Sequence, residues 1–201
     1  RSRGLGDVYK RQVKMVNELL DPIGKMDGDS LPVSAFKDIA DGQFETGASA
    51  YEKRGTAVMV PEWDPASCVQ CNSCAFVCSH ATIRPFMLSE DEVKAAPANI
   101  KLAVTKPKAS EYKYTMSVSP LDCMGCGECI TVCPVGAIEM VPQESQAEEQ
   151  PVFDYLVANV GKKPGMPADN TVKGSQFNQP LLEFSGSCAA VSYTHLRAHE
   201  T

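Results

Sequence analysis

Eight of the nine cysteines fall in two runs of identical spacing: Cys68, Cys71, Cys74 and Cys78, then Cys123, Cys126, Cys129 and Cys133. Each run reads C-x2-C-x2-C-x3-C, and the second passes directly into Pro134. Three thiolates two residues apart can wrap one face of a cubane, each reaching a different iron, while the loop amides point at its sulfurs. Structural zinc also uses paired C-x2-C, but it needs only four ligands, normally as two separated pairs, and leaves the later cysteines of both runs unexplained. A framework of disulfides belongs to small secreted domains, and bridges between cysteines this close would close strained loops. A pair of 4Fe-4S clusters is the chemistry that uses all eight. The ninth cysteine, Cys188, stands alone.

In two-cluster ferredoxins the fourth cysteine of each run ligates the other cluster. Crossed assignment gives cluster one Cys68, Cys71, Cys74 and Cys133, and cluster two Cys123, Cys126, Cys129 and Cys78. Crossing makes the two halves one folding unit and keeps the clusters close, as electron transfer needs. Gly125 and Gly127 carry no Cβ, so their backbone can approach a cluster and donate N–H groups to sulfur. Phe76, Val77, Ile130 and Val132 lie between ligands and are expected to exclude water. Ser79 stands where the second run has Pro134 and reads as a loop serine; His80 reads as a surface or neighbouring residue and not a ligand.

The elements that position these runs follow from the same repeat. At an offset of 55 the eight cysteines superpose, and so do Pro65 on Pro120 and Ile83 on Ile138. Each copy reads as a strand or turn, a cysteine loop, one short helix, and a strand starting near Ile83 or Ile138. The expected fold class is therefore α+β, a two-cluster ferredoxin-like unit with an insertion, flanked by irregular segments. Residues 86–120 form the insertion, expected as a surface excursion, with Ser89 and Glu92 as a capping box for a short helix. Ala57–Val60 is a candidate strand closed by Pro61. Upstream, Val13–Leu20 has helical spacing and should end before Asp21-Pro22, followed by an irregular layer over 21–56. Downstream, Gln143–Gln150 reads as a polar linker, Phe153–Val157 resumes apolar character, and Leu181–Phe184 is strand-like.

Composition narrows the remaining options. The chain has 201 residues, 43% hydrophobic, with a net charge of −6. No run approaches the roughly 18 apolar residues of a membrane span, and no basic stripe suggests nucleic-acid binding. Both ends look foreign to the rest. Asp7–Gln12 resembles the translated mosaic end of transposase-based sequencing kits, and Val191–Thr201 resembles the opposite adapter. Setting aside 1–12 and 191–201 leaves residues 13–190 at a net charge of −9, with His80 as the only histidine. Histidine-based zinc or general-base chemistry is thereby unsupported, and the remainder is expected to be a piece of something longer.

The flanks carry a resemblance. Leu31–Phe36, Asp41-Gly42, Thr46-Gly47, Tyr51-Glu52-Lys53-Arg54 and Trp63-Asp64-Pro65 before the first run, with Val172–Gln176 and Leu182–Ala189 after the second, resemble pyruvate:ferredoxin (flavodoxin) oxidoreductase. The resemblance implies an EKR-type segment over 13–60, a 2x 4Fe-4S domain over 61–141, and over 142–190 a linker and the start of a thiamine-diphosphate domain. It further implies that Cys188 is the first ligand of a third, truncated 4Fe-4S cluster, and that thiamine diphosphate with Mg sits elsewhere in the full enzyme. Implied partners are the enzyme's remaining domains, a second copy in a homodimer, and ferredoxin or flavodoxin as acceptor, in the cytoplasm or in an anaerobic organelle of a eukaryote. The implied role is passage of single electrons during oxidative decarboxylation of pyruvate to acetyl-CoA, the piece itself not being catalytic. A free-standing two-cluster ferredoxin, or a ferredoxin-like subunit of another redox complex, is the alternative.

Overall fold

The computed structural model describes residues 5–45, 48, 51, 53–106 and 111–178. Thr46, Gly47, Glu52, Leu181–Phe184 and Cys188, named above, lie outside the described residues. Two compact units divide after Arg54. The first opens with α1 (Leu5–Met15), which runs unbroken across residues 12 and 13, then a π turn over Val16–Leu20 and α2 (Asp21–Gly24). The expected stop before Asp21-Pro22 does not occur: Asp21 keeps helical angles, φ −63° and ψ −49°, and its N–H bonds the carbonyl of Val16. The wide turn shifts the hydrogen-bond register, so Pro22 falls in the first turn of a new helix, where no backbone donor is needed. Val16 and Leu19 are buried, and Arg11 Nε pairs with Glu45 Oε1 at 3.1 Å. The expected irregular layer follows as 3-10 turns over Gly28–Ser30 and Val33–Ile39.

The second unit starts at Gly55 and interleaves the two copies. Its elements are β1 (Met59–Trp63), α3 (Ser73–Val77), β2 (Ile83–Leu88), α4 (Glu90–Ala95), β3 (Ala103–Val104), β4 (Lys113–Val118), α5 (Glu128–Thr131), β5 (Ile138–Pro142), α6 (Glu149–Asn159) and α7 (Val172–Ser175). Strand β1 pairs antiparallel with β5, Trp63 opposite Ile138, and β2 pairs antiparallel with β4, Ile83 opposite Val118, with β3 on the far side of β4. Each strand that leads into one cysteine run therefore pairs with the strand that leaves the other. Neither copy can complete its sheet alone.

Alternation on the strands separates two cores. On β2, Ile83 and Met87 join a core with Trp63, Tyr114, Met116, Val118, Ile138, Cys74 and Cys129, whereas Phe86 and Leu88 face Val152 and Leu156 of α6. Edge-to-face contacts run from Trp63 to Tyr114 at 5.9 Å and from Tyr114 to Phe177 at 6.4 Å. The sheet is thus covered by the cysteine side on one face and by α6 on the other.

Three expectations shift here. Pro61 lies inside β1 instead of closing it, because both strands of a two-stranded sheet are edges and a missing N–H can face outward. Residues 86–120 are only partly a surface excursion. The capping box at Ser89 and Glu92 forms as expected, but β4 is the central strand of its sheet with Tyr114 fully buried. Gln143–Gln150 is not a linker but a 3-10 turn leading into α6, with Gln146 and Gln150 buried. Gln150 Oε1 accepts from Leu121 N–H and Ser119 Oγ, so a polar sequence is satisfied inside. Among the described residues no helix is long and apolar enough to cross a membrane.

Candidate metal centre

The two loops share a backbone pattern that the cysteines alone do not announce. Gln70, Asn72 and Ala81 have positive φ of 59°, 63° and 53°, and Gly125, Gly127 and Gly136, each 55 positions later, have 67°, 77° and 63°. The left-handed turn after each first cysteine aims an amide back at its sulfur: Gln70 N–H lies 3.3 Å from Cys68 Sγ, and Gly125 N–H lies 3.4 Å from Cys123 Sγ. Further along, Ala137 N–H lies 3.2 Å from Cys133 Sγ, and the Thr82 hydroxyl lies 3.4 Å from Cys78 Sγ. A Cβ on Gly125 would stand 2.9 Å from the Met59 carbonyl oxygen, so this loop is pressed against β1 in a way only glycine allows.

The first loop reaches the same shape without glycine. Gln70 and Asn72 are both about 1% exposed, and every polar end of their side chains has a partner. Gln70 Nε2 donates to Val104 O and its Oε1 accepts from Lys106 N–H, both at 2.8 Å. Asn72 Nδ2 donates to Lys173 O at 2.8 Å, and its Oδ1 accepts from Tyr114 Oη at 2.7 Å. Bonds to β3, β4 and α7 thus offset the cost of left-handed backbone at two non-glycine residues. Sequence reasoning missed both residues, although their alignment with Gly125 and Gly127 was a signal.

The thiols themselves are sorted by the packing of α3 against α5. Cys74, Cys123 and Cys129 are buried, Cys68, Cys71, Cys78 and Cys133 half-buried, and Cys126 exposed; all eight are free. Burial pushes the Cys74 thiol up to about 12, reinforced by Cys68, Cys71 and Cys129. Burial likewise pushes Cys129 up to about 11, with Cys123, Cys78 and Cys126 adding to it. Burial raises Cys123, with Cys78 and Cys126 again among its neighbours. Cys78 therefore lies within electrostatic reach of Cys123 and Cys129 of the second run, and like Cys133 it packs against the core that holds both Cys74 and Cys129. Among the described residues no three His, Cys, Asp or Glu side chains form a group able to hold a single metal ion.

Three cations border the thiols, and one of them, Lys106, donates its Nζ to Cys68 O at 2.9 Å. Burial depresses the Arg84 guanidinium while nearby Cys78 opposes that, and Nη2 donates to the carbonyls of Gln176 and Asn178. Burial also lowers Lys173, opposed by Cys71 and Cys68. The water-excluding role expected of Phe76 and Ile130 is not met, since they are 60% and 38% exposed. On helices this short the inward face is taken by Cys74, Ala75 and Cys129, and Trp63, Ile83, Tyr114 and Ile138 supply the apolar wall instead.

Comparison with known proteins follows the same division. A family model described as a 4Fe-4S dicluster domain matches residues 67–137, and one named EKR, a domain of unknown function, matches residues 7–57. The chain is 47% identical over 183 residues to the pyruvate-flavodoxin oxidoreductase of Klebsiella pneumoniae, covering 89% of this chain and 15% of that protein. The chain is homologous to one section of the pyruvate:ferredoxin (flavodoxin) oxidoreductases. The pyruvate:ferredoxin oxidoreductase of Moorella thermoacetica is 46% identical over 187 residues, 90% of this chain and 16% of that protein. The mitochondrial pyruvate dehydrogenase [NADP(+)] of Euglena gracilis is 38% identical over 182 residues, 90% of this chain and 10% of that protein. The chain spans about 15% of the length of the pyruvate-flavodoxin oxidoreductases it matches.

Proposed function

We propose that this section of the oxidoreductase carries two 4Fe-4S clusters on a ferredoxin-like α+β unit, cluster one on Cys68, Cys71, Cys74 and Cys133 and cluster two on Cys123, Cys126, Cys129 and Cys78. The observation that carries the reading is the pair of thiol loops with matching left-handed turns, each aiming an amide at its first sulfur. The donor set fits the cofactor. Eight free thiols are available, and the Trp63 indole N–H, 4% exposed in the same core as Cys74 and Cys129, has no acceptor among the described residues. A cluster sulfur would supply one. Each cluster, when bound, takes up and releases a single electron with little nuclear rearrangement.

The protein's part is to bind, shield and bias. Burial of Cys74, Cys123 and Cys129 favours their protonated forms, so iron must displace those protons on loading. The interleaved strands hold both loops in one folding unit, and the apolar wall around Trp63 and Tyr114 keeps water from one side. In the complete enzyme this section passes electrons from oxidation of pyruvate at thiamine diphosphate and Mg, through a third cluster that begins at Cys188, to ferredoxin or flavodoxin. The enzyme works as a homodimer in the cytoplasm or in a eukaryotic organelle, with residues 13–54 leading into this unit and the stretch after residue 178 leading on to its other domains. The reading excludes nucleic acid and membrane as partners.

Anaerobic reconstitution with iron and sulfide tests this reading. About eight iron and eight labile sulfide per chain are expected for two cubanes. Two zinc per chain with no labile sulfide would overturn it.

A further inference from the structure

We infer that Lys173 of α7 sets the reduction potential of the cluster on Cys68, Cys71, Cys74 and Cys133, making two pseudo-symmetric clusters electrically unequal. The inference rests on the two-cluster reading above. Helix α7 packs on α3. The segment is held tightly: a Cβ on Gly174 would collide with the Ala168 carbonyl oxygen, and Phe177 plugs the core. The Lys173 carbonyl is gripped by Asn72, the residue between Cys71 and Cys74. Its ammonium donates to Lys106 O at 2.9 Å, and Lys106 in turn bonds Gln70 Oε1 through its N–H and Cys68 O through its Nζ. These bonds fix a positive charge beside the first loop.

Among the described residues Lys173 has no carboxylate within ion-pair distance, and its one hydrogen bond goes to a neutral carbonyl. A cluster gains a negative charge when it accepts an electron, so a fixed cation stabilises the reduced form more than the oxidised one. The second loop has glycine where the first has Gln70 and Asn72, and therefore no side chains with which to recruit such a segment. Arg84, its Nη2 bonded to two backbone carbonyls, is a separate cation near Cys78, so the effect assigned to Lys173 is read as a shift of one couple on its removal and not as a lack of charge at the other cluster.

The test compares the reconstituted chain with its K173Q, K173M and K173R variants by mediated redox titration followed with electron paramagnetic resonance. Iron and sulfide content is measured first, so that failure of the unmodified chain to load is recognised as failure of the two-cluster reading itself, which removes the inference with it. With loading intact, K173Q and K173M should lower the reduced-to-oxidised ratio of one couple about fivefold at fixed applied potential, tenfold being 59 mV for one electron. The other couple stays within about twofold, and K173R restores the first. Should K173Q lose iron, K173M, of similar length and also uncharged, carries the comparison. Equal titration of all four proteins, or equal shifts in both couples, would overturn the inference, as would loss of iron from both uncharged variants with K173R loaded.

Discussion

Tyr114 donates its hydroxyl proton to Asn72 Oδ1 at 2.7 Å, so the central strand of one sheet holds the left-handed residue that starts α3. Burial, reinforced by Cys68, Cys74 and Cys71, holds the phenol well above its ordinary value, so it remains a donor. Tyr114→Phe should leave a buried acceptor unpaired and cost about 1–3 kcal/mol. Urea denaturation of the chain checks this, and a change below a few tenths would show the bond to be idle.

The glycines of the second loop are not equivalent. Gly125 and Gly136 both have positive φ, but only Gly125 faces backbone, at 2.9 Å from Met59 O, while Gly136 meets nothing within 4 Å. Gly136→Ala should cost the conformational penalty alone, roughly 1–2 kcal/mol. Gly125→Ala must also displace β1 and should lower iron loading. Equal effects of the two on iron content and melting temperature would contradict the account.

The proposed crossed ligation is open to a test with double variants. If Cys78 and Cys123 serve the same cluster, the C78S/C123S double variant should keep about four irons, as many as either single variant. If Cys78 served the cluster of its own run, the double variant would lose nearly all iron. C68S/C78S should behave in the opposite way. Iron and labile sulfide per chain read the outcome directly.

The insertion carries a pH signature. Burial pushes the Glu92 carboxyl up, but the Ser89 N–H at 2.7 Å and Lys163 Nζ at 2.9 Å outweigh it and hold the group below its usual value. A carboxyl depressed in the folded state contributes stability above its unfolded value of about 4.3, and this is lost as pH falls through the lower folded value. Glu92→Gln should therefore cost about 0.5–2 kcal/mol near neutrality and progressively less in acid. A difference from the parent chain that persists unchanged to low pH would refute the assignment.

The cysteine spacing was enough to name the chemistry, because cluster ligation constrains residue type and interval more tightly than it constrains anything else. The strands at Ile83 and Ile138 and the cap at Ser89 and Glu92 were equally local, hence legible. Pro61, Gln150 and Phe76 were misread for a common reason: whether a proline, an amide or a phenylalanine is inside depends on what lies across from it. Pro61 is tolerated by an edge, Gln150 by the Leu121 amide, and Phe76 is turned outward because its helix spends its inner face on Cys74 and Ala75.

By itself the sequence carried the cysteine spacing, the repeat and the resemblance to the pyruvate:ferredoxin (flavodoxin) oxidoreductases, all of which are written in residue identity and interval. Tertiary structure decided how the two copies interleave, since β1 pairs with β5, β2 pairs with β4 and α3 packs on α5, which puts Cys78 within electrostatic reach of Cys123 and Cys129. It also decided that Gln70 and Asn72 could stand where the other copy needs glycine, because partners 34 to 101 residues away satisfy them. Such contacts arise from chain closure over long separations, and no local pattern of residue types records them.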